Sequence, residues 1–200
     1  MFGLLYETPP EWVARVEATS LLDLLGDHAH CELKAAATMQ ALVAKNPGIP
    51  DIVQKLPRVA MEELEHFERV EAELRQRGGT LREADTSPYA DGLHRGSSAT
   101  RTSLLLDRLL ISHLIEARSA ERFHLLATHL QDRSLAALYQ ELLPSESVHR
   151  VLFLRLAQAI FPEAKVNDRL EVLRRMEAEL VPTLPFEPRV HSGPGGGAAA

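Results

Sequence analysis

Apolar positions recur at helical spacing through most of the chain. Trp12, Val13 and Val16 open a stripe just after Thr8-Pro9-Pro10-Glu11, where an N-capping Thr, early prolines and a first-turn Glu predict a helix start. Leu21, Leu25, His28, Glu32, Ala35, Met39 and Val43 follow at intervals of three or four, one face of a helix that continues or restarts at Ser20. Asn46-Pro47-Gly48-Ile49-Pro50 ends it with stacked breakers. A second long face runs from Asp51 to about Arg77 through Leu56, Val59, Glu63, His66, Val70 and Leu74. Pro57 marks a kink or the true start, and Gly78-Gly79 a stop. Residues 78–100 have little periodicity and read as a long crossover loop. The next helix spans about Thr100 to Leu130 and is apolar nearly all round, which places it in a core. Asp132 caps another, reaching Ile160 with Leu135, Tyr139, Leu142, Glu146, His149, Phe153 and Leu156 on one face and Pro144 predicting a bend. Residues 166–180 form an amphipathic helix through Val166, Leu170, Leu173, Met176 and Leu180.

Composition sharpens this into one all-α domain over residues 1–187 with a flexible tail over 188–200, rich in Pro, Gly and Ala. Leu, Ala, Glu and Arg dominate, and β-branched residues are sparse. The formal charge of −6 advertises no polyanion partner. A single cysteine, Cys31, excludes an internal disulfide and suits a reducing compartment. With no long apolar run and no signal-peptide layout, the expected location is the cytoplasm, without a membrane.

The candidate chemistry lies in acidic residues on apolar faces. A carboxylate there needs a cationic partner or a metal. Glu-x-x-His sets two ligand types about 60° apart on one helical face. It occurs three times, at Glu63/His66, Glu121/His124 and Glu146/His149. Chance alone supplies about one such match at these Glu and His frequencies, so the motif by itself is weak. The register is more specific. Glu32 precedes Glu63 by 31 residues, and Glu116 precedes Glu146 by 30. Aligning Glu32 on Glu116 also sets Lys34 on Arg118 and Ala36 on Ala120. Each half therefore reads as a helix with one buried Glu, a turn, and a helix with Glu-x-x-His. Taken singly, such a Glu is usually a solvated edge residue and such a His a core histidine. Together they form the ligand arrangement of ferritin-like carboxylate bundles, with Glu32, Glu63, His66, Glu116, Glu146 and His149 as metal ligands. The expected architecture is a ferritin-like up-down four-helix bundle with the crossover at about 78–100 and an additional C-terminal helix. Four carboxylates and two imidazoles suit two iron or manganese ions. Glu121 lies only 25 residues before Glu146 and points about 140° from Glu116. It is expected to support the site or face the substrate, and Arg118 to neutralise buried carboxylates. His28 shares the face of Glu32 and either supports it or packs in the core. Cys31 points away.

The segments 28–36 (HAHCELKAA), 62–67 (EELEHF), 115–123 (IEARSAERF) and 145–149 (SESVH) resemble, in the same order, the four signature segments of the MiaE family of tRNA hydroxylases. The resemblance implies an O2-dependent non-haem di-iron monooxygenase that hydroxylates the isopentenyl group of 2-methylthio-N6-isopentenyladenosine beside the tRNA anticodon. It implies two iron ions, O2 as co-substrate, an external redox partner, and an apolar pocket for the prenyl tail. Ala35, Ala36, Ala120 and Phe123 are candidate liners, equally well explained as core. Arg75, Arg77, Arg82, Arg95 and Arg101, around the crossover, are candidate tRNA contacts in the anticodon stem-loop region, with Tyr89 and His94 as stacking candidates. The same ligands would serve a ferritin- or rubrerythrin-like ferroxidase or peroxide-handling protein, although one cysteine excludes a rubredoxin module. They would also serve a di-iron oxygenase of a small metabolite.

Overall fold

The computed structural model describes residues 2–97 and 101–195, with the side chains of Arg101 and Thr102 excepted. Among the described residues the regular structure is seven α-helices and one 3-10 turn, with no strand. The helices are α1 (Glu11–Thr19), α2 (Leu21–Lys45), α3 (Pro50–Gln76), α4 (Pro88–Arg95), α5 (Arg101–His129), α6 (Arg133–Ile160) and α7 (Glu163–Leu180). No helix is long and apolar enough to cross a membrane among the described residues. The chain groups into two compact units. One is built on α1 and α4–α7, the other on α2 and α3 with residues 188–190.

The α2–α3 unit is an antiparallel helical hairpin. Ser20 ends α1 and starts α2, because its hydroxyl accepts the Asp23 N–H at 3.1 Å. Pro50 begins α3 at a position where its missing N–H costs nothing. Pro57 lies within α3 without ending it. Leu24, Leu25, Met39, Leu42, Leu56, Val59, Val70 and Leu74 are buried. Each fully buried aliphatic side chain is worth about 1.5–3 kcal/mol, which is what holds two helices of modest intrinsic propensity together. The first part of the crossover is tied to α2. His30 Nε2–H donates to the Arg82 carbonyl at 2.7 Å, and Lys34 Nζ to that of Asp85 at 2.9 Å.

The other unit is organised on the α5–α6 hairpin. Asp132 caps α6, accepting the Leu135 N–H at 3.1 Å. Pro144 sits inside α6, and the hydroxyls of Ser145 and Ser147 donate to the carbonyls of Leu142 and Leu143 beside it. Leu106, Leu109, Leu110, Leu114, Leu126, Leu142, Phe153 and Leu156 are buried. Arg169 on α7 donates to both carboxylate oxygens of the buried Asp107 on α5, at 2.6 and 3.1 Å, and to the Gly96 carbonyl. That pins α7 to α5 and to the end of α4.

Two expectations from the sequence need correction. The crossover is not wholly irregular, because it contains α4. Ser87 caps that helix, Pro88 opens it, and Tyr89 and Leu93, one turn apart, are its buried side chains. Residues 188–195 are also packed, although their composition suggests mobility. Val190, Ser192, Gly193 and Pro194 are buried, the Gly193 N–H donates to the Pro185 carbonyl, and Trp12 Nε1–H donates to Ser192 Oγ at 3.3 Å. A Cβ on Gly193 would lie 1.9 Å from the Leu184 carbonyl oxygen. Glycine here reflects close backbone approach rather than freedom. Residues 196–200 lie outside the described residues.

Candidate metal-ligand sets

The hairpins explain the duplicated spacing. From Glu32 to the end of α2 at Lys45 is 13 residues, and from the start of α3 at Pro50 to Glu63 is again 13. In the other hairpin, Glu116 lies 13 residues before the end of α5 at His129, and Glu146 lies 13 after the start of α6 at Arg133. Equal arms of an antiparallel pair bring both carboxylates to one height, about 20 Å from the turn.

In the α2–α3 hairpin, Glu32, Glu63 and His66 are buried, and each offers a ligand atom within 4.8 Å of the others. His66 Nδ1 lies 3.7 Å from Glu32 Oε2 and 3.6 Å from Glu63 Oε2. Burial pushes the Glu32 carboxyl well above its usual range, and the neighbouring Glu63 charge adds to this. Burial alone would lower the His66 pKa, but the two carboxylates outweigh it and hold the imidazole well above its ordinary value. Two carboxylates at this depth demand positive charge, and carboxylate and imidazole are donors suited to iron or manganese. The set therefore fits a metal ion. His28 is fully buried, and burial together with the His66 charge lowers its pKa to about 3. It is neutral, and its Nε2–H donates to Glu32 Oε1 at 2.7 Å, leaving Oε2 toward His66. Cys31 is turned toward Asp27 instead, with its Sγ 3.9 Å from Asp27 Oδ2.

In the α5–α6 hairpin, Glu116, Glu146 and His149 are likewise buried, and Glu116 and His149 offer ligand atoms within 4.8 Å of each other. Glu121 is turned elsewhere. It accepts the Thr8 N–H at 2.8 Å, the Thr8 hydroxyl at 2.7 Å and a short bond from Arg118 Nη1. Arg118, with no exposed surface, also donates to both oxygens of Glu177 at 2.9 and 3.0 Å and to the Tyr6 carbonyl at 3.0 Å. Tyr89 O–H donates to Glu177 Oε1 at 3.1 Å. Burial would lower the Arg118 pKa, but Glu177 and Glu121 more than compensate and keep it charged. Arg122 is also fully buried, with its guanidinium 4.0 Å from the Trp12 ring centre and Nη2 donating to the Ser192 carbonyl.

Ala36, Ala120 and Phe123 are buried and Ala35 half-buried, and the Phe123 ring packs on Tyr139 with centroids 5.2 Å apart. His124 is exposed, its ring 5.8 Å from that of Phe2. Of the candidate tRNA contacts, Arg75 is paired with Glu71 at 3.3 Å, Arg77 with Glu73 at 2.6 Å, and Arg82 lies 3.9 Å from Asp23. Arg95 is exposed, as is His94, and the Arg101 side chain lies outside the described residues. Tyr89 is unavailable for base stacking. It is buried, bonded to Glu177 and stacked on His191 with centroids 4.9 Å apart. Glu177 is the residue that sequence reasoning missed. Its signal was the spacing 166, 170, 173, 177, 180, which puts a Glu where the apolar face of α7 runs.

Paired helices that bury a Glu and a Glu-x-x-His place the protein among the ferritin-like helical proteins, which hold metals between carboxylates and imidazoles. Comparison with known proteins narrows this. The family described as tRNA-(MS[2]IO[6]A)-hydroxylase (MiaE) matches residues 2–192. The tRNA 2-(methylsulfanyl)-N(6)-isopentenyladenosine(37) hydroxylase of Pseudomonas putida is 39% identical over 186 residues, covering 93% of this chain and 90% of that protein. The hydroxylase of the same name from Salmonella typhimurium is 29% identical, covering 93% and 86%. A solved structure, "Protein 43 with aldehyde deformylating oxygenase activity from Synechococcus", superposes with a TM-score of 0.91 at 36% identity, covering 98% of each chain. The chain belongs to the MiaE family.

Proposed function

We propose that the protein is a tRNA hydroxylase that inserts one oxygen atom from O2 into the isopentenyl group of 2-methylthio-N6-isopentenyladenosine. The observation that carries this reading is a family match over nearly the whole chain, in which both hairpins bury the same Glu and Glu-x-x-His pattern. Glu32, Glu63, Glu116 and Glu146 act as carboxylate ligands, and His66 and His149 each serve one of two iron ions. Bound iron supplies O2 activation, the overall change being R–H + O2 + 2 e⁻ + 2 H⁺ → R–OH + H2O, with the electrons drawn from an external redox protein. The chain's own work is positioning and shielding. His28 fixes the orientation of Glu32 through its Nε2–H. The Thr8–Glu121–Arg118–Glu177 network locks the opposite side of α5, which sets the rotation at which Glu116 is presented. Ala120 and Phe123, buried on α5 one and two turns after Glu116, would keep water from the reacting carbon. The substrate region is the anticodon stem-loop, and the working compartment the cytoplasm, where tRNA is modified.

The test is nucleoside analysis by mass spectrometry of tRNA from a strain lacking the gene, with and without the wild-type copy. The hydroxylated nucleoside should vanish and return. An unchanged profile would refute the reading. A second reading has one observation behind it, the oxygenase activity named for the Synechococcus protein. Iron-loaded protein that consumes an aldehyde but leaves prenylated tRNA unmodified would favour it.

A further inference from the structure

Residues 191–195 belong to no helix, yet side chains of the unit built on α1 and α4–α7 hold them. His191 Nε2 lies 3.1 Å from Ser119 Oγ on α5, and its ring stacks on Tyr89 of α4. The Ser192 carbonyl accepts from Arg122 Nη2 at 3.0 Å, also on α5, and Ser192 Oγ accepts from Trp12 on α1. The Gly193 N–H reaches the Pro185 carbonyl at 2.9 Å. Gly195 has φ +68°, and a Cβ there would lie 2.6 Å from the guanidinium carbon of Arg15 on α1. Each attachment is a single bond or a close packing contact, and segments held this way open at lower free energy than packed helices.

The two attachments on α5 are related. Glu116, Ser119 and Arg122 follow one another at intervals of three, which makes them one ridge on the surface of the helix. The segment therefore grips the two positions that continue the ridge begun by the candidate ligand. The second grip answers a strong demand. Arg122 is fully buried, and among the described residues the Ser192 carbonyl is the one acceptor hydrogen-bonded to its guanidinium. Glu121 Oε2 lies 3.9 Å from its Nε, too far for a hydrogen bond, and already accepts from Thr8 and Arg118. Burial and the charge of Arg118 pull the Arg122 pKa down to about 9. Lifting the segment would leave this cation with little beyond the face of Trp12, unless α5 moved to carry it toward water.

We propose that residues 191–195 are a latch whose docking on Ser119 and Arg122 positions Glu116, so that latch closure and metal binding favour each other. The proposal rests on the assignment of Glu116 as a ligand in the reading above. Ser119 and Arg122 act through Glu116 and are positioning residues. Coupling of this kind is reciprocal: the factor by which a closed latch tightens metal binding is the factor by which bound metal closes the latch.

The experiment is hydrogen exchange of the full-length protein, read by mass spectrometry on peptides covering 185–195. It compares iron-free protein with protein loaded with ferrous ion under argon. Loading should slow exchange in the latch by about five- to 150-fold. Equal rates in the two forms would overturn the proposal. The reverse direction uses two variants. Gly193→Ala displaces the latch, because its Cβ would lie 1.9 Å from the Leu184 carbonyl oxygen, and Arg122→Met removes the anchor without leaving a buried charge. Each should weaken ferrous-ion binding by about fivefold or more in an anaerobic titration. Val166→Ala, a buried truncation on α7, controls for lost stability alone and should titrate as wild type. Wild-type affinity in both latch variants would overturn the latch. So would an equal loss in Val166→Ala, since affinity would then merely follow stability. If one latch variant does not fold, the other and the exchange comparison decide. Glu116→Ala separates the two failures. Full iron binding there refutes the ligand assignment, whereas loss of iron there with an uncoupled latch refutes the latch alone.

Discussion

Replacing Glu177 with alanine would leave the fully buried Arg118 facing Glu121 alone. In the wild type, Glu177 accepts two bonds from Arg118 and one from Tyr89, at 2.9, 3.0 and 3.1 Å. The variant loses a charge partner in a site without solvent and leaves the Tyr89 hydroxyl without its acceptor. Removing one partner of a buried pair costs about 3–5 kcal/mol, because the remaining charge stays desolvated. That is a large share of a total stability of roughly 5–15 kcal/mol. For a chain of this length each kcal/mol moves the melting midpoint by about 2–4 °C, so a drop on the order of 10 °C is expected. The assay is chemical and thermal denaturation of wild type, Glu177→Ala, Arg118→Leu and the double variant, all at one iron loading. The double variant should recover part of the loss, with a coupling energy of about 2 kcal/mol or more. A Glu177→Ala cost below about 1 kcal/mol, or strict additivity in the cycle, would refute the view that this pair anchors α5 and α7.

Three further outcomes follow from the geometry. Glu116→Ala should fall well below two irons per chain by metal analysis, whereas Glu121→Ala should keep its iron and lose stability; full iron in Glu116→Ala would show that the wrong α5 carboxylate has been assigned. Gly193→Ala should lower stability by about 1–3 kcal/mol in urea unfolding, because its Cβ would meet the Leu184 carbonyl, and an unchanged midpoint would contradict that packing. Burial, the largest cause, holds the His113 pKa below 6.5, so the unfolded chain takes up this proton more readily than the folded one. Its contribution is therefore present above about pH 6.5 and declines as the pH falls toward the folded value, and His113→Asn should flatten the stability–pH curve in that window.

The parts of this fold that could be read from sequence are those governed by period. Long apolar faces with breakers between them located α2, α3, α5 and α6 to within a few residues. The equal spacing of Glu32/Glu63 and Glu116/Glu146 was visible because hairpin geometry converts chain distance directly into height. What escaped were contacts with no period. Tyr89 looked like a loop aromatic because α4 is only eight residues long and shows just two buried positions. Arg75 and Arg77 looked like a basic patch because a linear count misses the Glu one turn earlier that neutralises each. The segment 188–195 looked mobile because Gly and Pro signal looseness and close backbone packing alike, and only the position of Leu184 distinguishes the two. Glu177 was concealed by the neighbouring Met176, which completed the apolar face almost as well.

The equal arms of the two hairpins also dictate where the chain tolerates changes of length. A residue added between Lys45 and Pro50, or between His129 and Arg133, enlarges a turn and leaves each buried carboxylate at its height. A residue added between Pro50 and Glu63 rotates Glu63 by about 100° and shifts it about 1.5 Å along the axis, carrying His66 with it. Indels should accordingly be purged from the four arms that carry the candidate ligands and accumulate in the connections. The Salmonella relative, whose alignment runs to 234 positions against a chain of 200, should carry its additional residues there.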